Sequence, residues 1–423
     1  MGMTIAEKIL AAKSHQDTVK PNDFITASID VLMFHECFYL TNQIFVENGI
    51  PGGIPHVWDK NKIAIILDHF APPMNRNTTM ANRHAKIREL VARLELKHFY
   101  DVGNGICHQV LPESGLITPG KLVVVPDSHA TLYGALNIAG TGIGETEAAY
   151  ILLTGELWFV VPPSIRINVE GKLPPHISGK DIFLEVIRRF GTEVAQYKSI
   201  EWCGSAINEL SMDDRMCISN QSVELGAKFS FFNGDEKTTA FLKQHGVENP
   251  QFVFADTDAV YEAEYEVDVT QLLPMVACPH GFKEVLPASQ LGHVRLDQTV
   301  IGGCANGRLE DIAIASKILA GHKVAKGTRL IVTPASKEIY QEAMDAGYLQ
   351  ILSEAGAIIT NTCCGPCIGV IATLGDGEIC LTSTSRNFKG RMGNPEGIIY
   401  LASPAVVAAS SIKGTIVDPG EVI

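Results

Sequence analysis

Asn361-Thr-Cys-Cys-Gly-Pro-Cys-Ile-Gly369 follows the strand-like run Ala357–Ile359 in this chain. Its thiols Cys364 and Cys367 stand at Cys-x-x-Cys spacing around Gly365 and Pro366, which favour a tight turn that aims both sulfurs at one point. A third thiol, Cys304, lies in Ile301-Gly-Gly-Cys-Ala-Asn-Gly307, directly after the strand-like Gln298-Thr-Val-Ile301. Two close thiols and one distant thiol at a strand end point to a soft-metal site with three protein ligands. On a four-iron cluster, three ligands leave one iron open as a Lewis acid. Cys363 is not expected as a fourth ligand, because adjacent residues rarely reach one cluster together. A structural zinc site usually wants a second short-spaced pair, and a thioredoxin-like redox pair usually opens a helix after a strand.

Outward from this turn, strands and helices alternate through the last third. Thr299–Ile301 precedes a helix at Leu309–Ala320, Leu330–Thr333 precedes a helix opened by Ser336, and Ile379–Thr382 leads into Ser383-Thr-Ser-Arg-Asn-Phe-Lys-Gly-Arg-Met392. Such alternation predicts a parallel sheet flanked by helices. Arg386 and Arg391 lie in that last loop, where guanidinium forks suit a dicarboxylate. Without the cysteines, two solvated surface arginines would be the simpler reading.

The first third repeats the pattern. The apolar run Ile63-Ala-Ile-Ile-Leu67 ends in Asp68-His69, Lys121-Leu-Val-Val-Val125 ends in Pro126-Asp-Ser-His129, and His108 sits in Gly105-Ile-Cys-His-Gln109. In parallel α/β sheets ligands bind at strand ends. A lone histidine there is more often structural, but Asp68 and Asp127 beside two of them can set tautomer and basicity. The Gly-rich Ala139-Gly-Thr-Gly-Ile-Gly-Glu145 lacks the nucleotide fingerprints and reads as a strand-to-helix turn. In the middle, Val161-Pro-Pro-Ser164 reads as a linker, and Cys217-Ile-Ser-Asn220 with Val223-Glu224 reads as a helix start with a carboxylate one turn in.

The chain has 423 residues, 46% hydrophobic and 19% charged, enough for several domains. We expect three doubly wound α/β domains over 1–160, 161–285 and 286–423. A net charge of −13 disfavours nucleic acid or an anionic membrane as partner. No run of 18 apolar residues appears, and the start Met-Gly-Met-Thr-Ile-Ala-Glu-Lys is no signal peptide. Ten cysteines without a disulfide framework read as reduced thiols of a cytoplasmic protein.

Together these motifs resemble a family. Asp68-His69-Phe70, Gly105-Ile-Cys-His-Gln109, Asp127-Ser-His129, Tyr133-Gly-Ala135, Leu210-Ser-Met-Asp213, Ile218-Ser-Asn220, Cys304 before Ala-Asn-Gly307, Cys364-Gly-Pro-Cys367, Arg386-Asn-Phe-Lys-Gly-Arg391 and Leu401-Ala-Ser-Pro-Ala405 are similar to the large subunit of the split aconitase-type hydro-lyases, nearly end to end. The resemblance implies aconitase-like domains 1–3 around one 4Fe–4S cluster ligated by Cys304, Cys364 and Cys367. It implies His69 with Asp68 as proton donor to the leaving hydroxyl, His108 with Asp127 as a second pair, and His129 with Glu224 as a third. Arg386 and Arg391 would hold a substrate carboxylate, and Asn220 and Asn306 would hydrogen-bond near the cluster.

The implied reaction is dehydration and rehydration of a substituted malate. The first reading is the 3-isopropylmalate step of leucine biosynthesis. Dimethylmalate, methylmalate/citraconate and homocitrate remain alternatives, as do two non-enzymes: an iron-responsive RNA-binding protein and a zinc-stabilised structural subunit. Where the family often has hydroxyl residues around the first cysteine, Gly303 and Ala305 stand here; Ser385 stands where Asn often precedes the first arginine, and Ala130-Thr-Leu132 replaces Thr-Cys-Thr. Single-chain aconitases carry a C-terminal swivelling domain with the base serine. This chain ends before one, so a small swivel-domain subunit in a hetero-oligomer is expected to supply it.

Overall fold

The computed structural model describes residues 2–74 and 76–423. Three sheets carry the architecture. A five-stranded parallel sheet runs in the order His98–Tyr100, Ile63–Ile66, Val31–Phe34, Leu122–Val125, Ala139–Gly142. Its three central strands are buried at every position, as strands covered by helices on both faces must be. A four-stranded parallel sheet follows, Phe229–Phe232, Ser199–Cys203, Ser164–Glu170, Ala263–Asp268. The third has seven strands, Val285–Pro287, Met275–Ala277, Ile398–Ala402, Ile379–Thr382, Gln298–Gly302, Arg329–Thr333, Ile358–Ile359, with antiparallel pairing only where Met275–Ala277 joins. A separate antiparallel pair joins Phe24–Ser28 to Glu156–Val160. The α/β class expected from the alternation is the class observed. No helix among the described residues is long and apolar enough to cross a membrane.

Strand order positions the chemistry. In the first sheet the order reverses between Val31–Phe34 and Leu122–Val125; in the third it reverses between Gln298–Gly302 and Ile379–Thr382. Crevices open at the carboxyl ends of strands flanking such reversals. Those four ends lead into His35, Asp127, Cys304 and Ser385. In the four-stranded sheet the reversal lies elsewhere, and that segment contributes through the helix Met212–Gln221 instead.

That helix corrects one expectation. Cys217–Asn220 is the second half of a helix, not its start. The true start is Ser211, whose hydroxyl accepts the Asp214 amide, with Asp213 and Asp214 in the first turn against the helix dipole. Glu224 sits in the following 3-10 turn Ser222–Leu225.

Candidate active site

Gly302 and Gly303 both hold positive φ, 153° and 82°, and a Cβ on Gly302 would meet the Thr333 carbonyl oxygen at 2.8 Å. This pair turns the strand Gln298–Gly302 into the short helix Gly303–Asn306 and delivers Cys304. The expected turn around Gly365 and Pro366 is a 3-10 helix, Gly365–Ile368, whose Cys367 amide donates to the Cys364 carbonyl at 3.0 Å. All three cysteines are buried.

Each outer sulfur has donors. Asn220 Nδ2 donates to Cys304 Sγ at 3.2 Å, and the Ser385 hydroxyl lies 3.3 Å from the same sulfur. Arg391 donates to Cys367 Sγ at 3.3 Å, and its Nε is buried without a partner among the described residues. Burial pushes the Cys304 thiol up to about 11. The neighbouring Cys364 side chain and the adjacent Arg391 hold Cys367 well below an ordinary thiol, against its burial. Three buried sulfurs on two loops, capped by N–H donors and beside an unpartnered guanidinium nitrogen, fit an iron–sulfur cluster. Cys363 is buried too, but its sulfur lies against Gly365 and Asn361.

Three histidines converge on this wall. Asp68 Oδ1 accepts a hydrogen bond from His69 Nδ1 at 2.6 Å, and Asp68 Oδ2 accepts the Cys107 amide at 2.8 Å. Burial and His35 work against the His69 imidazolium, yet the Asp68 and Asp127 carboxylates outweigh them and raise its pKa. His69 Nε2 faces Asp127 Oδ2 at 3.7 Å. Asp127 Oδ1 bonds His108 Nε2 at 2.7 Å and accepts the His129 amide at 2.9 Å; His108 Nδ1 meets the Tyr133 hydroxyl at 3.0 Å. Burial opposes ionisation of Asp127, but His108 and His129 hold it well below the carboxylate range. His129 Nε2 is buried without a hydrogen-bond partner among the described residues, 3.8 Å from Glu224 Oε1, and burial lowers the pKa of this histidine. Glu224 in turn accepts from Arg386 Nε at 2.5 Å, and the Arg386 guanidinium lies 5.7 Å from the Phe388 ring centroid.

Asn306 goes elsewhere. It is buried two residues beyond Cys304, but its Nδ2 donates to Asp311 at 2.9 Å and its Oδ1 faces the Cys217 thiol at 3.3 Å. Its amide is committed to Asp311 and Cys217, whereas that of Asn220 reaches the Cys304 sulfur.

Sequence reasoning passed over His35 and Glu36. The His35 ring stacks on His69 at 4.0 Å between centroids. Glu36 accepts the amides of His69 and Phe70 at 3.2 and 2.9 Å and faces His84 Nε2 at 3.2 Å. The ligand atoms of His35, Glu36, Asp68 and His69 lie within 4.8 Å of one another. Because amides and imidazoles already occupy both carboxylates, this group reads as a support for His69, not a metal cage. The available signal was Phe34-His-Glu36 at the end of an apolar strand, the same context as Asp68-His69.

A sequence model of the aconitase family (aconitate hydratase) matches residues 55–291 and 282–414. The chain belongs to the aconitase family. It is 43% identical over 420 residues to the 3-isopropylmalate dehydratase large subunit 1 of Methanopyrus kandleri, covering 99% of both chains. It is 42% identical over 423 residues to the 3-isopropylmalate dehydratase large subunit of Acetivibrio thermocellus, covering 100% of both. Among solved structures, the aconitase X of Thermococcus kodakaraensis in its holo form superposes with a TM-score of 0.51 over 92% of this chain and 94% of that one, at 12% identity, a likeness of fold alone. This aconitase-family chain is accordingly a hydro-lyase.

Proposed function

We propose that the chain is the large subunit of a 3-isopropylmalate dehydratase, paired with a small subunit that closes the site. The observation carrying this reading is the tie between the buried cysteine loop and the Asp68–His69 dyad, the Cys364 amide donating to the Asp68 carbonyl at 2.9 Å, in a chain matched over its full length by relatives of that name. Cys304, Cys364 and Cys367 would hold a 4Fe–4S cluster; when bound, it supplies a Lewis-acidic iron for the substrate hydroxyl.

The remaining work falls to the protein. Asp68 accepts from His69 Nδ1–H and, with Asp127, favours the imidazolium, so that Nε2 holds a second proton to deliver to the leaving hydroxyl; general acid help of this kind contributes ~10²–10⁴-fold. Asp127 holds His108 on one side and orients the His129 loop on the other. Arg386, steadied by Glu224, and Arg391, beside Cys367, would neutralise substrate carboxylates as charge develops α to one of them. The base that takes the α proton would come from the small subunit, whose closure would also exclude water.

The test is an anaerobic assay of the chain with and without its small subunit on isopropylmalate, dimethylmalate, citramalate and homocitrate. Only the pair should turn over, on isopropylmalate. Dehydration by the large chain alone would refute the divided site. Activity of the pair on dimethylmalate instead would favour the second reading, a dimethylmalate dehydratase; the altered Ala130-Thr-Leu132 wall is the feature that keeps it in view.

A further inference from the structure

Lys180, in the first turn of helix Gly179–Phe190, is fully buried, yet its acceptors are neutral: Gln221 Oε1 at 3.2 Å and the Thr384 carbonyl at 3.0 Å. A buried ammonium is costly without a carboxylate, so its partners carry the interest. Lysine only donates, which fixes Gln221 with its oxygen toward Nζ. The Gln221 Nε2 must then donate, and it does so to Asn220 Oδ1 and to the Ser385 carbonyl, each at 3.2 Å. With Oδ1 occupied, the Asn220 amide has one orientation left, Nδ2 toward Cys304 Sγ at 3.2 Å. A flipped Gln221 would set donor against donor at Lys180 and acceptor against acceptor at Ser385.

We propose that Lys180 and Gln221 form a buried donor relay that locks Asn220 onto Cys304 and thereby positions this sulfur and lengthens the life of the cluster it holds. The inference rests on Cys304 being a cluster ligand. Lys180 and Gln221 are positioning residues: they reach the sulfur through Asn220. The ammonium form fixes Gln221 by donating only, and the Ser385 carbonyl, which can only accept, holds Gln221 Nε2 in the same orientation whatever the charge on lysine. Ser385 joins the same end, its hydroxyl lying between Asn220 Oδ1 at 3.4 Å and Cys304 Sγ at 3.3 Å. The plainer role for Lys180 is a staple between its helix and the loop after Ile379–Thr382.

The experiment separates the two with the anaerobically purified chain, reading visible circular dichroism of the cluster and its rate of bleaching in air. Gln221→Glu keeps an acceptor for Lys180 but cannot donate to Asn220. It should alter the dichroism and bleach about 10-fold faster, the scale of a lost outer-sphere partner. Lys180→Met and Asn220→Ala should do the same, and Gln221→Glu should add nothing in an Asn220→Ala background. If Lys180→Met does not fold, Gln221→Glu decides. Wild-type dichroism and bleaching in Gln221→Glu, or additive effects in the double variant, overturn the relay while the cluster reading stands. A wild-type chain that takes up no cluster overturns both.

Discussion

The carbonyl oxygen of Asp68 accepts the amide of Cys364 at 2.9 Å. The same residue holds His69 Nδ1 through its carboxylate at 2.6 Å. One aspartate therefore ties the proposed acid to the cysteine loop, although the two come from sheets at opposite ends of the chain. Neither can shift without the other, which is the preorganisation a site needs when proton transfer and C–O cleavage must coincide.

Cysteine substitution should divide the chain's thiols. Replacing Cys304, Cys364 or Cys367 with Ser is expected to abolish an oxygen-labile cluster of about four irons per chain, while Cys363→Ser keeps it. Iron and sulfide analysis of anaerobic protein checks this; full iron content in Cys304→Ser would remove that ligand from the set.

His69→Ala is expected to keep the cluster and lose at least ~10²-fold in turnover. Steady-state kinetics beside the visible spectrum measure both. Near-normal turnover would return His69 to a structural role.

Asn306→Ala should act on stability rather than on substrate affinity. It strips a partner from buried Asp311, at a cost of about 1–3 kcal/mol, or a few degrees in thermal midpoint. A raised KM with an unchanged midpoint would restore Asn306 to the substrate.

Glu113 makes a pH prediction. Burial pushes its carboxyl from the ordinary 4.5 to about 7, against hydrogen bonds from Gln109 and Ser336. Between those values the folded chain keeps a proton that the unfolded chain releases, so this group's contribution to stability falls as pH rises from 4.5 to about 7. Glu113→Gln should gain stability over wild type across that window and hold the gain above it. Denaturant midpoints at acid and mildly alkaline pH test this; a gap between the two chains that does not widen with pH would count against it.

The alternating apolar runs by themselves determined a parallel α/β chain, because strands buried on both faces must be uniformly apolar, as in Ile63–Ile66 and Leu122–Val125. Asp68 and His69 stood out for a related reason, since they follow such a strand, where parallel sheets place ligand-binding side chains; Cys364 and Cys367 follow only the short edge strand Ile358–Ile359 and stood out by their spacing. Partnership was not legible. Glu36 under His69, Lys180 behind Gln221 and Ser385 against Cys304 join residues from 33 to 81 positions apart, and no local periodicity encodes such distances. Asn306 shows the same limit from the other side. Its neighbour Cys304 was readable, but which way its amide points depended on Asp311 and Cys217, and only the folded chain brings those within hydrogen-bonding reach.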